Sequence, residues 1–144
     1  TLPLQPTFLV STGNQINLTG AAAVATLAVS GGSEVLDRNA DFDGISTFTA
    51  PVTGAYFLGC SIQLGGITAA ATNFVITIVT SNRSYELFRG NMQEDSGGLS
   101  TWSGSVLADM DAADISTLTI QVSGEAGDVN DLNSGSKFFG VLLV

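Results

Sequence analysis

The chain has 144 residues, 44% of them hydrophobic and only 12% charged, enough apolar length to bury a core and too much for a disordered tail. Thirteen acids stand against Arg38, Arg83, Arg89 and Lys137, giving a net charge of −9, a balance that repels nucleic acid and anionic membranes. No histidine is present, no apolar run approaches the ~18 residues of a membrane helix, and surface polarity must come from Ser, Thr, Asn, Gln and Gly, as in β-rich extracellular or virion proteins.

The opening "TLPLQPTFLV" lacks the basic residues and apolar length of a secretory signal, and the missing initiator Met reads as an excised or processed fragment. After the prolines, 7–11 alternates as a first strand. "GAAAVATLAV" is rich in alanine but has no charge to support a helix, so a strand is expected over 24–29. A short strand at 34–36 and another at 46–50 follow. Pro51 then keeps Ala50 extended and Gly54 closes a tight turn. The longest strand is expected over 54–64. Within it lies Cys60, the single cysteine, in the apolar run "YFLGCSIQL", where it reads as a buried free thiol.

"FVITIVT" at 74–80 and "SYELF" at 84–88 form a hairpin across Ser81, Asn82 and Arg83. Further strands are expected at 102–108, 115–123 and 137–144. About ten strands without crossover helices make a one-domain, all-β antiparallel sandwich or barrel over 1–144. The apolar terminus "KFFGVLLV" must lie centrally in a sheet or be covered by another subunit, since an open edge of that kind aggregates.

Several segments resemble one family. "FDGISTFTAPVTGAYFLGCSIQL" is similar to the central strand pair of the globular C1q-like, TNF-related jelly roll, written there as an aromatic-Asp turn, "G-x-F-x-A-P", then "G-x-Y-x-F". "ADISTLTIQVSG" and "SGSKFFGVLLV" resemble its penultimate and closing strands, "PTFLVSTGNQ" its first, and "EVLDRNADFD" the approach to the hairpin. The texture of "EVLDRNADFD", "IVTSNRSYEL" and "SGSVLADMDAADISTLTIQVSG" resembles the C-terminal domains of bacteriophage tail fibres and other virion fibres. The resemblance implies a jelly roll of about ten strands assembling as a homotrimer, with a fibre joined N-terminally and aromatics along the three-fold axis. Phe8, Tyr56 and Phe139 are the axis candidates, with ordinary placement in the protomer core as the alternative.

Catalysis finds little support, because without histidine and with a single buried cysteine the usual nucleophile and base pairings are missing. Asp41 with Asp43, or Glu94 with Asp95, could serve as a glycosidase pair, but each sits where a turn already favours acids. Hence no enzyme is expected and no cofactor is required. Asp109, Asp111 and Asp114 in "DMDAAD" could bind calcium or another divalent cation, without the spacing of an EF-hand.

Recognition is expected in the loops at 65–73, 90–101 and 124–135. Tyr85 and Trp102 could stack on sugar, the other reading of the mid-strand Trp102 being a core residue, and Asn91, Gln93, Asp128 and Asn130 would supply hydrogen bonds. The functional expectation is a trimeric fibre head, located on a virion or otherwise extracellular, that binds a bacterial surface glycan or outer-membrane receptor. A trimerisation cap or capsid decoration domain without a ligand is one alternative, and a secreted C1q-like lectin another.

Overall fold

A computed structural model of the chain describes residues 5–91 and 98–143. Its strands in chain order are β1 (Thr7–Ser11), β2 (Gln15–Thr19), β3 (Val24–Thr26), β4 (Ser33–Arg38), β5 (Phe48–Thr49), β6 (Gly54–Gly65), β7 (Asn73–Thr80), β8 (Ser84–Gly90), β9 (Leu99–Met110), β10 (Ile115–Ser123), β11 (Asn130–Leu132) and β12 (Lys137–Leu143). No helix among the described residues is long and apolar enough to cross a membrane.

The strands form two antiparallel sheets. A seven-stranded sheet runs β2-β11-β6-β12-β1-β4, with β9 on the free side of β6. A five-stranded sheet runs β3-β10-β7-β8, with β5 also on β10. The long β6 serves both partners of its inner side, pairing with β12 along Ala55 to Ser61 and with β11 at Leu64 and Gly65. The apolar terminus therefore lies between β1 and β6 and has no open edge.

Alternation decides what fills the space between the sheets. From β1 come Phe8 and Val10, from β6 Tyr56, Leu58, Ile62 and Leu64, and from β12 Phe138, all essentially without exposed surface. The facing sheet supplies Phe74, Ile76, Ile78, Leu118, Ile120 and Val122. Phe8 packs on Phe48 with ring centres 4.5 Å apart and edge-on to Phe138 at 4.9 Å. The Tyr56 hydroxyl, carried into this core, donates to the Val52 carbonyl at 2.7 Å, so its polar atom is satisfied.

Two expected strands are shorter than the sequence suggests, and two strands were not expected. Only Phe48 and Thr49 of 46–50 pair as a strand, because the Asp43 carboxylate collects the backbone N–H groups of Ile45, Ser46 and Thr47 into a turn. Beyond Thr26, Leu27 and Val29 donate their N–H groups to Leu118 and Ile45 without continuing the ladder. Two short strands, β2 and β11, arise from polar sequence that reads as loop.

Candidate functional site

The same alternation that buries one face of the seven-stranded sheet leaves an apolar outer face. Reading across the strands, Leu36, Leu9, Phe139, Gly59 and Ser105 lie opposite one another in one row. The neighbouring row holds Arg38, Thr7, Val141, Phe57 and Leu107, and the next begins with Leu143, Ala55 and Asp109. Phe57 is 37% exposed, Leu107 59% and Leu143 48%, so the stripe is open in the isolated protomer.

Phe139 lies across Gly59, where any Cβ would collide with its ring, and its ring centre is 6.2 Å from that of Phe57. Beside these rings, Ser61, Ser103, Ser105 and Gly104 leave a shallow depression of about 380 Å³. Two aromatic rings beside a shelf of small residues is a surface that can receive a side chain from another molecule.

The two ends of the sandwich differ in what they carry. Thr7, Arg38, Gly54, Met110 and Val141 belong to one end, together with both ends of the described chain, where Gln5 donates its side-chain amide to the Leu142 carbonyl. The opposite end gathers the loops 65–73 and 124–129. Thr72 N–H donates to the Ser123 carbonyl at 2.9 Å, and a buried carboxylate fastens the two loops. Glu125, 7% exposed, accepts from Thr68 N–H at 2.9 Å and from the Asn130 amide at 3.3 Å, while that amide also donates to the Gly66 carbonyl at 3.0 Å. Gly124 sits at φ 101° with Ala70 O and Thr72 Oγ1 each 2.6 Å from where a Cβ would stand, so this junction admits only glycine.

The expected recognition residues do not form one site. Asn130 is fully buried in the Glu125 junction and cannot meet a receptor. Trp102 turns inward from β9 and packs edge-on against Phe74 at 4.6 Å, in the core margin. Tyr85 lies at the termini end, donating its hydroxyl to Asp109 at 2.7 Å. Asn91 and Asp128 are exposed, with Asp128 accepting from Ala21 N–H at 3.0 Å, and Gln93, Glu94 and Asp95 lie outside the described residues.

Two of the three axis candidates are corrected as well. Phe8 and Tyr56 point between the sheets, at 1% and 0% exposure, and a neighbouring subunit cannot reach them. Phe139 does face outward. The residues that share its face, Phe57, Leu107, Leu9 and Val141, are neighbours in sequence of the buried ones; period two marks two faces without saying which is inner.

The acids are likewise dispersed. Asp109 is held by Tyr85 and by Arg83 at 2.8 Å, contacts that lower its carboxyl below the usual range. Asp114 accepts from the Asp111 N–H within its own turn at 2.8 Å, and no group of three acids or other metal-binding side chains converges among the described residues. Burial pushes the Asp41 carboxyl up, with Asp37 adding to the effect. Burial acts upward on Asp43 too, but its bonds from Thr47, Ile45 and Ser46 outweigh it and hold that carboxyl low. The thiol of Cys60, turned inward, is raised by burial to about 11.

Two curled antiparallel sheets, joined by connections that pass from one sheet to the other, define a jelly roll. It is of the C1q/TNF-like type. The globular domain of zebrafish complement 1qA superposes with TM-score 0.61 at 16% identity, covering 96% of this chain and 98% of that one. Murine APRIL gives 0.60 at 16% identity over 96% of this chain and 99% of its own. The PRD1 vertex protein P5 gives 0.64 at 11% identity, spanning all of this chain and 76% of that one. No protein-family model and no curated protein sequence matches the chain.

Proposed function

We propose that the chain is the self-associating head of a virion fibre or vertex, in which three copies pack through the outer face of the seven-stranded sheet. The observation that carries this reading is the open apolar stripe of Phe57, Leu107, Phe139, Val141 and Leu143, beside a shelf of serines and glycines. A contiguous apolar face of this kind, on a protein otherwise sparing of charge, supports an interface between copies. The C1q/TNF-like fold supports three copies, and the likeness to a phage vertex protein supports a place on a virion, or otherwise outside the cell.

In that assembly the ends of the described chain lie together, so a fibre joined there leaves the far loops free. Those loops, at 65–73 and 124–129, would meet a glycan or outer-membrane component of a bacterial surface, threefold repetition adding avidity to a weak single contact. A structural reading without a ligand is the alternative, and the likeness to a vertex protein is compatible with it.

Adsorption of the fluorescently labelled domain to a panel of bacterial cells separates the two. The head reading expects saturable binding to a subset of strains, weakened when the Phe57→Ala variant is diluted to single copies. Absence of binding to every strain would leave only the structural role.

A further inference from the structure

A second cleft opens on the seven-stranded sheet at the end away from the chain termini. Gly65 forms its floor, Leu99 one wall, and Ile16, Asp131, Asn133 and Asn14 the other, enclosing about 360 Å³. That is the lower end of the range for small-molecule sites, about right for a single ring.

Its three polar side chains are each fastened through one oxygen. Asn14 Oδ1 accepts from Ser134 N–H at 2.8 Å, Asn133 Oδ1 from Gly135 N–H at 3.0 Å, and Asp131 Oδ1 from Asn17 N–H at 2.8 Å. Those backbone donors settle which side of each amide is oxygen. What remains unbonded among the described residues is therefore defined: the NH₂ groups of Asn14 and Asn133, and the second oxygen of Asp131. Ile16, 76% exposed, and Leu99, 54% exposed, supply the apolar surface.

This set selects among ligands. An anion would be repelled by Asp131, with no cation among the described residues lining the cleft to offset it. A metal ion would find a single carboxylate and two groups that donate where it needs lone pairs. A neutral polyol fits, because a hydroxyl both accepts and donates while the C–H face of a sugar ring seeks apolar cover. We propose that the cleft is a monosaccharide subsite for one neutral hexose unit of a glycan. Asn14 and Asn133 donate to ring hydroxyls, Asp131 accepts from one, and Ile16 with Leu99 covers the C–H face. The inference rests on the adhesin reading above and names its ligand class.

The test is an NMR titration of the full chain with D-glucose, D-galactose and D-mannose, at millimolar and higher concentrations. Saturable shifts are expected for at least one hexose, at the side-chain amides of Asn14 and Asn133 and the backbone amides of Asn17, Ser134 and Gly135. Asp131→Asn keeps the oxygen that holds Asn17 but turns the free acceptor into a donor. Asn133→Asp keeps the bond to Gly135 and loses the donor. Each is expected to weaken binding about tenfold, the worth of one hydrogen bond to a charged or well-placed group, with the rest of the spectrum unchanged. No shift with any of the three hexoses, or shifts undiminished in both variants, would overturn the proposal. Cell adsorption without a hexose response would leave the adhesin reading standing and refute this subsite alone. A hexose response without adsorption would do the reverse.

Discussion

Truncating Phe57 to alanine strikes the outer face of the seven-stranded sheet and leaves the inner one intact. Phe57 lies on β6 between Val141 and Leu107, and 37% of it remains exposed in the single copy. An aromatic side chain offers roughly 200 Å², so about 75 Å² is left for a neighbour to cover, or ~2 kcal/mol at about 25 cal/mol per Å². Three copies make about 6 kcal/mol per trimer, on the order of 10⁴ in the association constant. Because the midpoint concentration of a trimer varies as the square root of that constant, it should rise roughly a hundredfold. Light scattering over a dilution series reads that midpoint, and far-ultraviolet circular dichroism at the same concentrations reports whether the sheets persist. Should the wild type stay assembled at every dilution, Leu107→Ala in the same row extends the series. A midpoint unchanged within a few-fold, in a variant that stays folded, would refute the assignment of this face to the interface.

Other expectations follow from the interior and the turns. A Cβ on Gly140 would stand 2.5 Å from Phe8 Cε1 and 2.6 Å from Leu58 Cδ2, both locked in the core, so Gly140→Ala should cost about 3 kcal/mol and lower Tm by roughly 6–12 °C. With its pKa raised to about 11, the Cys60 thiol should resist a disulfide reagent at pH 8 in the native protein and react promptly in denaturant. Rapid native labelling would show that β6 opens. Asp43 has a folded pKa below its ordinary 3.8, so its contribution is present above that value and is lost as pH falls through the folded one. Asp43→Asn should therefore be about 1 kcal/mol less stable than wild type near neutrality, a small figure for an exposed turn. The gap should close in strong acid, and a constant gap across pH would show that charge plays no part.

Much of the architecture was legible because certain runs permit one reading. "FVITIVT" and "SYELF" are β-branched and aromatic around a polar turn, and they pair as β7 and β8 with a bulge between Ile76 and Thr77. The apolar terminus required either a central place or a covering subunit, and β12 has the central place. Resemblance to the C1q/TNF jelly roll joined these segments into a topology that local pattern alone leaves open. What stayed hidden depends on contacts distant in sequence. "NDL" reads as a turn, yet it becomes β11 because the Asn130 amide is drawn inward by Gly66 and Glu125. "YF" at 56–57 and "FF" at 138–139 place an aromatic on each face of a strand, so the sequence cannot tell core from interface. The cleft at Gly65 was hidden for another reason. Asn14, Asp131 and Asn133 lie in segments that look like ordinary turns, and only the fold sets them around Gly65. Trp102, conspicuous in sequence, serves the core.

Copies of this chain are expected to bury the stripe of Phe57, Leu107 and Phe139 against one another. Light scattering of the wild-type chain, with and without EDTA, tests it most directly. The expected mass is three times the 14.7 kDa of the chain, unchanged by the chelator, because apolar contact would hold the copies together. A mass of 14.7 kDa at every accessible concentration would contradict it, and a trimer that dissociates only in EDTA would move the interface from this face to a bound cation.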